Sequence, residues 1–68
     1  MRLLELGSIA SIAQNGSPST AGELLAWITL VAPETASAAE EVVRNSVNAT
    51  AFELVTQTRD DTAAVING

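Results

Sequence analysis

The run Leu24-Leu25-Ala26-Trp27-Ile28-Thr29-Leu30-Val31-Ala32 is almost wholly apolar, with only Thr29 interrupting it, and it holds the single Trp of the chain. Strong punctuation lies on both sides: Asn15-Gly16-Ser17-Pro18-Ser19 before it and Pro33 after it. Thr20-Ala21-Gly22-Glu23 has the form of a capping box. In that motif the Thr20 hydroxyl accepts from the Glu23 N–H, and the Glu23 carboxylate reaches back to the N–H of Thr20. Pro33 biases Ala32 away from the α region, so the spacing predicts a helix over Thr20–Val31. At about 1.5 Å per residue this helix is roughly 18 Å long. A membrane span takes about 20 apolar residues, so no membrane span is expected.

The periodicity of this run raises a packing problem. Leu24, Trp27, Ile28 and Val31 share one face at the i, i+3, i+4, i+7 spacing; Leu25 and Ala32 occupy another, and Leu30 widens the arc. A surface helix needs only one apolar stripe. A chain of 68 residues buries only about 60% of its unfolded surface, so it has little material with which to wrap a helix completely. Two outcomes follow: the helix is the core, sandwiched by its flanks, or part of it is an association surface. The β-branched stretch Ile28-Thr29-Leu30-Val31 also admits a buried strand. In either helical reading Leu24, Trp27, Ile28 and Val31 are the expected main contact, within or between chains, with Trp27 as its anchor.

Leu3, Leu6, Ile9 and Ile12, with Ala10 and Ala13 beside them, predict a first helix over Arg2–Ala13. Arg2 and the small residues near Ala13 sketch a signal peptide, but Glu5, Gly7 and Ser8 interrupt its apolar stretch. Gly16 suits the left-handed position that ends a helix. Asn-Gly is also a hairpin turn, but Pro18 would spoil the returning strand. After Pro33, a residue suited to the first helical position, the stripe Ala39, Val43, Val47, Ala51, Leu54 predicts one long helix over Pro33–Thr58. Ser37-Ala38-Ala39-Glu40 is a second capping box to which its start could slip. Glu40 and Arg44 form a favourable i,i+4 pair. Asp60 or Asp61 can cap a last short helix over Thr62–Ile66; the less favoured variant is a hairpin of 52–58 with 62–66. The expected fold is therefore all-α: one small domain spanning residues 1–68, a three-helix antiparallel bundle with short loops, or a four-helix one if the last short helix forms.

Composition excludes much chemistry. The chain has no His, Cys, Lys or Tyr, which removes the usual general bases near neutral pH and most activated nucleophiles. Without cysteine there is no disulfide or thiolate metal site, and the redox compartment is undetermined. Glu40-Glu41 and Asp60-Asp61 are neighbours in sequence and do not face each other on a helix. Asp60-Asp61-Thr62 lacks the alternating acids and loop Gly of a calcium site. Asn48-Ala49-Thr50 matches a glycosylation acceptor, but falls inside the expected long helix. No phosphate-binding Gly-rich loop is present. No catalytic, metal or cofactor-binding residue is expected; Arg59 could bind a partner carboxylate, but solvent exposure is the favoured reading.

The net charge is −5, with Arg2, Arg44 and Arg59 the only cations. Nucleic-acid binding requires clustered cations to neutralise phosphates, so no nucleic-acid partner is expected, nor an anionic membrane surface. What remains is a non-enzymatic helical subunit acting through protein–protein association, with itself or with a protein partner. The alternative is a ribosomally made precursor peptide whose Thr/Ala/Val-rich C-terminus, 56–68, is modified by partner enzymes.

Overall fold

The computed structural model describes residues 6–68, which form four helices: α1 (Leu6–Gln14), α2 (Pro18–Val31), α3 (Pro33–Ser46) and α4 (Ala49–Asn67). Among the described residues there is no strand, so both the buried-strand variant and the C-terminal hairpin give way to helix. The expected start of the first helix at Arg2 lies outside the described residues.

Each junction has a local cause. α1 stops at Gly16, whose φ of 95° is the left-handed conformation that only glycine adopts freely. The Ser17 N–H then donates to the Ile12 carbonyl at 3.2 Å, the six-to-one bond of a Schellman turn. Pro18 opens α2 rather than ending a loop, because its fixed φ and missing N–H suit the first helical position. Thr20 therefore lies inside the helix, and the expected capping box is not formed; Ser17 is the N-cap, without a side-chain bond. α2 ends at Val31 as anticipated. A single residue, Ala32, then turns the chain into α3, and its carbonyl accepts from Thr35 and Ala36 at 2.9 and 3.1 Å. Pro33 starts α3 directly, so Ser37 and Glu40 are interior to it and make no capping box. Glu34 in the first turn and Arg44 in the last both complement the helix dipole.

The largest departure from expectation is at Val47-Asn48. The single helix anticipated over Pro33–Thr58 is two helices. Val47 and Asn48 are extended, with ψ of 165° and 170°, and the Asn48 Oδ1 accepts from the Ala51 N–H at 2.8 Å. This bond satisfies one of the orphan donors of a new helix start. The apolar stripe changes register there: Ala39 and Val43 are buried, Val47 packs against the core, and beyond the break Val55 is buried while Leu54 faces solvent. Asn48→Ala should cost about 1 kcal/mol, read as a lower urea midpoint at unchanged slope.

α4 continues without interruption from Ala49 through Asp60 and Asp61 to Asn67, so neither Asp begins a separate helix. α2 and α4 make the most extensive helix pair. They run in the same direction: Gly22 lies against Val55 and Thr58, Ala26 shares a groove with Arg59 and Ala63, and Leu30 one with Ile66 and Asn67. α3 returns from the end of α2 towards the foot of α1, where the Gln14 Nε2 donates to the Ser46 carbonyl at 2.9 Å. The core joins Ile9 and Ala13 of α1, Ala21 and Leu25 of α2, Ala39 and Val43 of α3, and Val55 of α4, with Leu6, Ile12, Ile28, Val47 and Phe52 packed around it. Among the described residues no polar side chain is buried. So many alanines in the core let the helix axes approach closely.

Gly22 is the tightest of these approaches. A Cβ built there would lie 2.5 Å from the Val55 carbonyl oxygen and 2.7 Å from the Thr58 Cβ. Gly22 and Ala26, one turn apart, thus form the small-residue seam along which α4 lies.

Candidate interaction face

The α4 seam determines where the large residues of α2 go. Ala21, Gly22, Leu25 and Ala26 face inward; the opposite side carries Trp27 and Val31, 51% and 67% exposed, and Leu30, 50% exposed, stands beside them at the edge towards α4. Of the four expected contact residues, Leu24 and Ile28 are half-buried and flank this side, and Ile28 also packs on the core. Trp27 and Val31 face solvent. The contact that α2 makes within the chain is therefore carried by Leu25 and the small residues, not by the Trp27 stripe. An indole has no room where backbones meet, whereas Gly and Ala do. The i,i+4 spacing of Gly22 and Ala26 was the available signal for the inward side. Leu30, which widens the apolar arc, is half exposed at the edge between Trp27 and the end of α4.

Glu23 is exposed one turn before Trp27 on the same side of α2, and Glu34 is exposed at the start of α3 just beyond Val31. Neither makes an ion pair among the described residues. No Lys or Arg lies on α2. The exposed face thus carries one carboxylate, Glu23, and the chain places a second, Glu34, three residues past its last apolar residue, Val31.

A second feature lies behind it. A groove of about 300 Å³ runs between α2, α3 and α4, lined by Thr29, Ser37, Glu40, Arg59 and Asp60 among smaller residues. Arg59 is not the exposed cation that sequence reasoning expected. Its Nη1 donates to Glu40 across the α3–α4 gap, its Nε donates to the Asp60 Oδ1 at 3.0 Å, and its side chain is only 25% exposed. Glu40 also pairs with Arg44 at 3.4 Å, the anticipated i,i+4 contact, and the Arg44 guanidinium sits 4.6 Å from the centre of the Phe52 ring. Carboxylates distant in sequence, Glu40 and Asp60, thus share one guanidinium; nothing in the spacing of 40 and 59 signals it. The groove's charged groups are already paired, and its hydroxyls have no imidazole or amine beside them. The Thr29 hydroxyl donates back to the Leu25 carbonyl at 2.8 Å.

Among the described residues no group of three or more acids could hold a metal ion, and no helix is long and apolar enough to cross a membrane. Asn48 of the glycosylation-type motif is not mid-helix but exposed at the start of α4, with its carboxamide oxygen committed to the cap. Residues 56–67, the would-be modified segment, are folded into α4. No protein-family model matches the chain, and no curated protein or solved structure is similar to it.

Proposed function

We propose that this chain is a non-enzymatic helical subunit that works by protein–protein association through the exposed side of α2. The observation that carries the reading is the side-by-side exposure of Trp27, Leu30 and Val31 on one helix, in a chain whose core is filled by other residues. Single exposed apolar side chains are ordinary, but a cluster that includes a half-exposed Trp marks an interaction site. Aromatic anchors dominate binding energy in such interfaces. The absence of His, Cys, Lys and Tyr supports association over catalysis, because it leaves no side chain with an ordinary pKa near 7 to move a proton.

The test separates folding from association. Trp27→Asp should keep the helical circular dichroism of the isolated chain and lower its thermal midpoint by only several degrees, since half of the indole already meets water. It should abolish the association measured by light scattering, either with itself or with a partner copurified from the native source. A Trp27→Asp protein that associates as the parent does would end this reading.

A further inference from the structure

We infer that the occupant of the α2 face is a basic amphipathic helix from a different protein, rather than a second copy of this chain; this rests on the association reading above. The face is one helix long, and Leu24, Trp27 and Val31 follow one another at near-turn spacing. That is the geometry by which a partner helix presents its own i, i+3, i+4, i+7 anchors.

Charge decides between occupants. Glu23 lies on the face, Glu34 follows its last residue by three positions in the chain, and neither makes an ion pair among the described residues. Two copies paired antiparallel along α2 bring Glu23 of one towards the end of α2 that Glu34 follows in the other. Paired parallel, they bring Glu23 to Glu23. In both cases carboxylates draw towards each other with no cation on α2 between them, and each copy adds a net charge of −5. Arg44 and Arg59 give no relief, because both are engaged with Glu40, Glu41 and Asp60. Like charges facing across an interface disfavour it, and opposite charges on the rim steer and select a partner. A helix with Leu or Ile on one side and Lys or Arg flanking them meets both demands at once.

The experiment titrates the full chain with a synthetic helix of about 15 residues, roughly four turns, with Leu at the i, i+3, i+4, i+7 positions and Lys elsewhere. A control peptide carries Glu in place of Lys. Trp27 fluorescence reports binding, and light scattering of the chain alone is run over a range of concentrations. The expected result is a monomer that binds the Lys peptide with a blue shift of Trp27 and does not bind the Glu peptide. Trp27→Ala, followed by polarisation of a labelled peptide, should weaken binding about thirtyfold. Glu23→Gln with Glu34→Gln should weaken it about fivefold and flatten its salt dependence.

Three results overturn the inference. If the chain alone forms a dimer that Trp27→Asp dissociates, the association reading stands and the basic partner falls. Equal binding of the two peptides, or Lys-peptide binding that leaves Trp27 unshifted, removes the role assigned to Glu23 and Glu34. A monomer at every concentration that binds neither peptide removes the basic partner, and only a native partner held through Trp27 would then sustain the association reading.

Discussion

Leu25→Ala should unfold most of the chain at room temperature. Leu25 is 1% exposed and sits where α1, α2, α3 and α4 meet, among Ile9, Val43 and Val55. Truncating a buried Leu removes its transfer energy and leaves a cavity, for a total of about 2–5 kcal/mol. A single core in a domain of this size supplies only about 3–5 kcal/mol, so one such truncation consumes most of it. Trp27→Ala is the informative contrast. Trp27 is the larger residue, yet its half-exposed position means that the isolated chain should lose only about 1 kcal/mol. Urea denaturation followed by circular dichroism measures both. If Trp27→Ala proved the more damaging of the two, the placement of α2 with its small residues inward would be wrong.

The second large effect is expected at Gly22. Replacing a helical Gly by Ala ordinarily gains about 1 kcal/mol. At Gly22 the added methyl would meet the Val55 carbonyl oxygen at 2.5 Å and the Thr58 Cβ at 2.7 Å. Two of the atoms it meets, the Val55 oxygen and the Arg59 nitrogen, are backbone, so the α2–α4 pair must part along its length to admit the methyl. Overpacking of this kind costs about 1–3 kcal/mol, and Gly22→Val should cost more. Gly7 is the internal control, because a Cβ there meets nothing within 4 Å. Gly7→Ala should therefore stabilise by up to about 1 kcal/mol. The same substitution at two helical glycines is thus expected to have opposite signs, measurable as shifts of the urea midpoint in opposite directions.

These two residues also show what was legible in the sequence. The all-α class, the end of α1 at Gly16, the corner at Ala32-Pro33 and the inward side of α1, with Leu6, Ile9 and Ile12 at the stripe spacing and Ala10 and Ala13 beside them, all follow from local rules. Glycine at a left-handed position and proline at a helix start act through their own backbone, and a sequence records them directly. The break at Val47-Asn48 was masked by a run of small apolar residues whose spacing continued across it. The local cue was there in Asn45-Ser46-Val47-Asn48, four poor helix formers in a row, and the cap of Asn48 decided the outcome. Which side of α2 turns inward depended on α4, a partner far away in the chain. Apolar content alone ranked Trp27 above Gly22, whereas close packing rewards the reverse. The Glu40–Arg59 pair was invisible for the same reason, since it exists only once α3 and α4 lie together. The exposed face inherits this history: of Leu24, Trp27, Ile28 and Val31, which share one face by spacing, Trp27 and Val31 meet solvent and Leu24 and Ile28 are half-buried, because the seam on the other side sets how α2 is turned.

The parallel pairing of α2 with α4 has a consequence for the order in which the molecule comes together. Gly22 cannot meet Thr58 until the whole of α3 has been gathered between them, so this docking closes a long loop and bears its entropy before any contact repays it. Val55 is the only fully buried residue that α4 contributes. From Thr56 onward the helix rests on partly covered side chains and on the Arg59 bridge. Its last turns should therefore exchange their amide hydrogens well before those of α2 and α3, opening as a separate low-stability unit while the first three helices stay closed.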